Sequence, residues 1–200
     1  YHDRNLYQNI ASATKLREMK RNNENINDFI PYKLEDINCD IPYDISNLDS
    51  AIISKLRLMT AEDLQNISEV TEGIENRILS SANMSYSFET LVENVKNKRY
   101  TTSKIRRMII SALIDFTKNI YSPMPQYIRI LGMNKVGMTI LKQAKDICKV
   151  PIITKTADFK EQSPQFNLDV RATNIAMLCN PIPTHRIGNA DLKKSPIIMK

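Results

Sequence analysis

Glycine is scarce in this 200-residue chain, which has four: Gly73, Gly132, Gly137 and Gly188. No G-x-G-x-x-G dinucleotide fingerprint can be assembled from them. Gly132 and Gly137 stand at the spacing of a phosphate-binding P-loop, but Met138 and Thr139 follow, so the lysine that such a loop needs is missing. Histidine is rarer still. His2 and His185 lie at opposite ends of the sequence, which excludes an H-E-x-x-H zinc site and argues against a locally built catalytic triad. The three cysteines, Cys39, Cys148 and Cys179, are far apart and form no C-x-x-C pair; this pattern predicts a reduced, cytoplasmic protein with no disulfide framework and no structural zinc. The longest apolar stretch, Met108 to Ile114, is broken by Ser111 and falls well short of the roughly 20 residues that span a bilayer. Residue 1 is Tyr with no apolar segment behind it, so no secretory signal is expected.

The remaining composition is that of an ordinary globular protein: 42% hydrophobic, 25% charged, mean hydropathy −0.35. Neither disorder nor a fibrous repeat fits it, and the length suits one domain or one domain with part of another. The net charge of +6 hides an asymmetry. Residues 1–95 carry nine Lys/Arg against sixteen Asp/Glu, whereas residues 96–200 carry nineteen against six. A second half that basic is the footprint expected for a polyanionic partner, ahead of a surface kept basic for solubility.

The apolar spacing predicts a mainly α protein: a helical bundle with a small strand–helix–strand unit near residues 127–155. Ser12 is placed to cap a helix running to about Arg21, and residues 31–46, containing Pro31 and Pro42, read as a loop or linker. Asn47 or Asp49 opens a helix with Ile52, Ile53, Leu56 and Met59 on one side; Thr60 with Asp63 resembles a capping box; Ser68 and Ser87 start two more helices. Thr102 is placed to cap the longest helix, about 103–119, with Ile105, Met108, Ile109, Ala112 and Phe116 in one apolar arc. Beyond Pro123 and Pro125, residues 127–131 and 150–154 read as strands around a helix from Asn134 to about Cys148, a length that favours parallel pairing by a right-handed crossover. A helix over about 167–178 follows, then an extended tail carrying Arg186, Lys193 and Lys194.

Two of these helix starts carry the wrong charge. A helix N-terminus bears about half a positive charge and several unpaired N–H groups, so acids are favoured there and cations cost a few tenths of a kcal/mol each. Yet Lys15 and Arg17 sit in or beside the opening turn after Ser12, and the span 96–107 holds six basic residues and no acid: Lys96, Lys98, Arg99, Lys104, Arg106 and Arg107. A bound phosphate turns this penalty into a gain, because N–H groups, dipole and cations then converge on one anion. Tyr100, in the midst of the second cluster, is expected to stack a base.

Five segments in order, Tyr1-His-Asp, Ile10 to Arg17, Lys98 to Met108, Tyr127 to Met133 and Pro151 to Lys155, resemble the C-terminal half of the bacterial tRNA(Met) cytidine acetate ligase family, which is nucleotidylyltransferase-like. The resemblance covers nearly the whole chain. It implies a parent enzyme that uses ATP and acetate to form acetyl-adenylate and then acetylates N4 of the wobble cytidine in elongator tRNA(Met), with Mg2+ accompanying the ATP. It further implies that residues 1–21 are the trailing edge of a catalytic domain and residues 22–200 a helical tRNA-engaging region, inactive by itself, with no catalytic residue of its own. By the same resemblance Ser12, Thr14 and Arg17 match the [ST]-x-[ST]-x-x-R pattern that nucleotidylyltransferases place near nucleotide phosphates, and Lys96, Lys98, Arg99, Tyr100, Lys104, Arg106 and Arg107 form the RNA-binding cluster.

Two other readings need less: a non-catalytic nucleic-acid-binding helical module, or a scaffold whose basic face takes an acidic protein. Cys148 and Cys179 read as core thiols, the nine methionines as packing filler and His185 as an exposed loop residue.

Overall fold

A computed structural model of the chain describes residues 11–30, 43–71, 73–122, 124–160, 163–193 and 195–198. The expectations for Tyr1 to Ile10, for the Pro31–Pro42 part of the linker with Cys39, and for Pro123 and Lys194 lie outside the described residues.

The first helix, α1 (Ala13–Arg21), begins where Ser12 Oγ accepts the Lys15 N–H at 3.2 Å, and closes before Asn23, whose φ is 58°. A 3-10 turn at Ile45–Leu48 leads into α2 (Asp49–Leu58). The cap sits further upstream than expected: Asp44 accepts the Ser46 N–H at 3.0 Å, so the carboxylate seats the turn rather than the helix. That hydrogen bond, together with one from the Ser46 side chain, holds the Asp44 carboxyl below its usual value. In α3 (Ala61–Gln65) the predicted capping box is complete. Thr60 Oγ1 accepts the Asp63 N–H at 3.2 Å, and Asp63 accepts the Thr60 N–H at 2.7 Å.

Ser68 does not start the next helix. Ile67 forms an antiparallel bridge with Thr117, and the Ser68 N–H donates to Phe116 O at 2.8 Å. With the backbone used up in that tie, α4 begins at Glu75 and runs to Met84. Ser87 caps α5 (Phe88–Val95) through a reciprocal pair with Thr90.

The helix expected to be the longest, α6 (Thr102–Leu113), has 12 residues, fewer than the 13 of Lys135–Ile147 and the 14 of Pro164–Met177, and is capped by Thr101 rather than Thr102. It stops six residues before the expected end. Asp115 adopts a left-handed φ of 53°, the Asp115 N–H bonds Ala112 O at 3.3 Å and the Phe116 N–H bonds Ser111 O at 2.8 Å. That pairing is the Schellman termination, here with aspartate where glycine is usual. The Asp115 carboxylate meets Lys55 at 2.8 Å and Arg171 at 3.6 Å, which compensates for the left-handed backbone.

Ile52, Leu56, Ile78, Phe88, Leu91, Ile105, Met108 and Ile109 are all buried in one core shared by α2, α4, α5 and α6. Fully burying a side chain of this kind contributes about 1.5–3 kcal/mol, so this cluster dominates the stability of the first half. Glu75 stands at its edge, 4% exposed, accepting hydrogen bonds from Gln65 Nε2 at 3.0 Å and the Gly73 N–H at 2.8 Å. Hydrogen bonds from its own N–H and from Gln65 hold its carboxyl below the ordinary 4.5, against the opposing pull of burial. Its folded pKa is therefore the lower one. The stabilisation is present above the ordinary glutamate value and disappears as pH falls through the folded value. Glu75→Gln is expected to lower the melting temperature at neutral pH and to flatten the acid limb of a melting-temperature profile; an unchanged acid limb would contradict this role.

The second half is mainly helical with a few short parallel strands. These are β1 (Ile128–Arg129), β2 (Gly132–Met133), α7 (Lys135–Ile147), β3 (Ile152–Ile153), α8 (Pro164–Met177), α9 (Ala190–Lys193) and β4 (Ile197–Ile198). The expected strand over 127–131 is in fact split. β1 pairs in parallel with β3, Ile128 opposite Ile152, while β2 pairs in parallel with β4, Gly132 opposite Ile197. A Cβ at Gly132 would come within 3.1 Å of Ile197 O, so this glycine serves a close strand approach, not a phosphate loop. The tail is likewise not simply extended, since it holds a 3-10 turn (Pro183–His185), α9 and β4. Ser163 caps α8 with proline at the first turn, which starts it three residues earlier than the spacing suggested. Cys179 is buried as expected, whereas Cys148 is the C-cap of α7 and only half-buried. Among the described residues no helix is long and apolar enough to cross a membrane.

Candidate functional site

The basic cluster gathers at the entrance of α6. Thr101 Oγ1 accepts the Lys104 N–H at 3.3 Å, and no acidic residue lies in the first turn. The structure corrects one assignment here. Tyr100 is 8% exposed and packs in the core, with its hydroxyl 2.6 Å from Thr71 Oγ1, so its ring is not offered to a base. It seats cations instead: the Arg99 guanidinium lies 5.3 Å from the ring centroid and Lys104 Nζ lies 5.2 Å from it.

The remaining cations divide into two groups. Arg106 pairs with Glu89 and also lies over the Phe88 ring, Arg107 meets Glu69 at 3.5 Å and Lys96 meets Glu93 at 3.4 Å. Side chains in these pairs are between 32% and 63% exposed, and such pairs hold their partners by only about 0–1 kcal/mol. Lys98 and Arg99 are exposed, Lys104 is half-buried, and none of the three has a carboxylate partner among the described residues. A cationic rim therefore survives the neutralisation. The sequence reading missed the three glutamates that flank it, although Glu89 and Glu93 stand four apart on the polar face of α5.

At α1, Thr14 and Arg17 are exposed, Ser12 is half-buried, and Lys15 leans toward Glu18 at 3.4 Å. Ser12 Oγ takes the Lys15 N–H and Ser12 O takes the Leu16 N–H, and the first-turn N–H groups of Ala13 and Thr14 have no intrahelical acceptor among the described residues. This donor set fits a polyphosphate. Among the described residues there is no group of three or more His, Cys, Asp or Glu that could hold a metal ion. The tail arginine is structural, since Arg186 donates to Asn180 O at 2.7 Å and to Asn47 Oδ1 at 3.2 Å.

The second half is joined by a buried polar hub. Asp191, 7% exposed, accepts from Arg129 Nη2 at 3.0 Å and from Thr173 Oγ1 at 2.7 Å, while its carbonyl accepts the Thr156 hydroxyl. The hydrogen bond to Asp191 raises Arg129 above its usual value. The Asp191 carboxylate thus ties β1 and α8 to α9, and the backbone carbonyl of the same residue ties in the turn after β3. Removing one partner of such a pair strands the other, so Asp191→Ala is expected to cost about 2–3 kcal/mol in urea unfolding. Thr173→Ala should cost less than half of that. Equal small losses would show that the hub is not cohesive.

Residues 1–191 match the family model described as HIGH nucleotidyl transferase, and the chain belongs to that family. Among its relatives is a tRNA(Met) cytidine acetate ligase of Thermosipho africanus, 33% identical, matched over 100% of this chain and 54% of the relative. A protein of the same name from Clostridium botulinum (strain Loch Maree) is 31% identical, again over 100% of this chain and 51% of the relative. Two solved structures of Thermotoga maritima TmcAL share the fold. The apo form matches at TM-score 0.84 and 27% identity, over 99% of this chain and 53% of that one. The form bound with alpha-thio ATP matches at 0.80 and 28%, over 95% and 52%. The chain spans about half the length of the curated relatives it matches.

Proposed function

We propose that this chain is the RNA-engaging part of an ATP-dependent ligase that forms N4-acetylcytidine at the wobble position of elongator tRNA(Met) from acetate, by way of acetyl-adenylate, in the cytoplasm. The cationic rim of Lys98, Arg99 and Lys104 at the α6 entrance is the observation that carries this reading. Family membership and the names of the relatives support it.

Under this reading residues 22–200 bind the RNA, and residues 1–21 close off the nucleotide-handling domain. Within the RNA-binding part, β1, α7 and β3 form a right-handed crossover unit packed beside the helical bundle. Ser12, Thr14 and Arg17 lie against the nucleotide phosphates, a placement in keeping with the alpha-thio ATP bound by the Thermotoga maritima neighbour. Adenylation builds negative charge on the α-phosphate and the leaving pyrophosphate. Arg17 and the N–H groups of Ala13 and Thr14 supply fixed positive potential where that charge develops. Mg2+ would accompany the ATP, and under this reading the catalytic residues lie outside these 200 residues.

The test is a gel-shift titration of the chain with tRNA(Met) and with a second tRNA across a salt series. Phosphate contacts release counterions, so log affinity should fall steeply and linearly with log salt, and tRNA(Met) should be preferred. Equal affinity for both tRNAs would reduce the protein to a general nucleic-acid module. Salt-insensitive or absent binding would favour a surface for an acidic protein.

A further inference from the structure

Beyond the far end of α6 the structure opens a cleft of about 500 Å3. Phe116, Ile120 and Leu168 form its apolar walls, Tyr121 stands at the rim with 63% of its surface exposed, and the Tyr127–Asp169 pair closes one end. The volume is within the range of small-molecule sites, and the lining follows their pattern of apolar walls with a few convergent polar groups.

The polar end has a definite chemical preference. The Tyr127 hydroxyl donates to Asp169 Oδ2, and among the described residues that carboxylate makes no second hydrogen bond, although the Arg129 guanidinium attracts it electrostatically. The carboxylate therefore has acceptor capacity left over. Burial, followed by that hydrogen bond, raises the Tyr127 hydroxyl well above its ordinary pKa, so it stays protonated and keeps pointing its hydrogen at the carboxylate. A phosphate is disfavoured beside a carboxylate oxygen that can only accept. A flat, neutral group with N–H donors on its edge is favoured. The exposed Tyr121 ring adds a stacking surface, the part that buried Tyr100 cannot play.

We infer that this cleft seats one unpaired nucleobase of the bound RNA strand and favours a base with an exocyclic amine over uracil. The inference rests on the RNA reading above. α6 connects the two features: its 12 residues place the cationic rim and the cleft about 18 Å apart, a distance covered by about five stacked nucleotides. The rim takes phosphates and the cleft takes a base edge, so positioning and selection are separated along one helix. Asp169 is the selecting group, through acceptance from the amine, and Tyr121 is the stacking group.

The experiment titrates the full chain with free cytidine, free uridine and an oligouridine heptamer carrying one cytidine at its 5′ or its 3′ end, following the tyrosine ring signals by NMR. Cytidine should shift the Tyr121 and Tyr127 signals saturably and bind several-fold more tightly than uridine. The heptamer should bind at least tenfold more tightly than cytidine, and Lys98→Glu should remove only that extra affinity. Tyr121→Ala should weaken cytidine about tenfold while Tyr121→Phe restores it. Asp169→Asn keeps an acceptor for Tyr127 but turns an amide donor to the ligand, so the preference should shift toward uridine. Equal cytidine and uridine affinities, or shifts that persist in Tyr121→Ala, would overturn the base seat. A heptamer no tighter than the nucleoside would overturn the strand as its source. Failure of the RNA reading looks different: nucleoside binding then persists with no salt-dependent tRNA affinity.

Discussion

Replacing Lys98, Arg99 and Lys104 together with glutamate is expected to abolish the proposed tRNA binding at physiological ionic strength while the helical circular-dichroism signal persists. The size of the effect follows from counterion release. Each phosphate contact contributes roughly 0.7–0.9 to the slope of log affinity against log salt, so losing three lowers the slope by about 2–3. Reversing the charges adds repulsion to that loss, and a drop of at least roughly 100-fold is expected at moderate salt. The fold should survive, because Lys98 is exposed and Arg99 and Lys104 each contribute only a cation–π contact to Tyr100, worth about 0.5–1 kcal/mol at such a site. Arg106→Glu with Arg107→Glu should cost less in affinity, since Glu89 and Glu69 already offset those cations. Unchanged affinity in the triple variant, measured by gel shift, would displace the proposed site from the α6 entrance. A larger loss from the Arg106/Arg107 pair would move its centre toward α5.

The second large effect is on stability. Phe88→Ala should destabilise the chain by about 3–5 kcal/mol, the cost of truncating a buried aromatic ring and leaving a cavity. Phe88 is 2% exposed, its N–H donates to Asp49 Oδ1 at 2.8 Å, and Arg106 lies over its ring at 5.3 Å. It thus joins α2, α5 and α6 from one position. A domain of this size is stable by only about 5–15 kcal/mol, so a loss on this scale takes much of the total. Urea unfolding followed at the helical band measures it. Tyr86→Ala is the control, because that ring is 82% exposed and its loss should change little. Comparable losses in both would mean that the core is not centred where the burial places it.

The order of helices was legible in the sequence because apolar periodicity and caps are local signals. Ser12, Thr60 and Ser87 each sit three residues from the N–H they satisfy, and each cap formed as read. What failed was nonlocal. The start of α4 was displaced by the Ile67–Thr117 bridge, whose partners are fifty residues apart, and nothing near Ser68 announces Thr117. The early end of α6 was hidden because aspartate, not glycine, takes the left-handed position, held by Lys55 and Arg171 from distant helices. At the site, charge clustering was visible in the letters, but burial was not. Tyr100 has the composition of a stacking residue and the position of a core residue, and only packing decides between them. The Asp191 hub was unreadable for the same reason, since Arg129, Thr173 and Asp191 come together only through the fold.

Had α6 continued to residue 119, its last six residues would have carried the chain about 9 Å further along the axis before it could turn. Stopping at Leu113 makes the helix a short ruler with a chemically different mark at each end. Under the RNA reading proposed above, its length would set how many nucleotides can bridge the two marks. Inserting or deleting a helical turn there would change the spacing by about 5 Å, altering which stretch of RNA fits without touching a single contacting side chain.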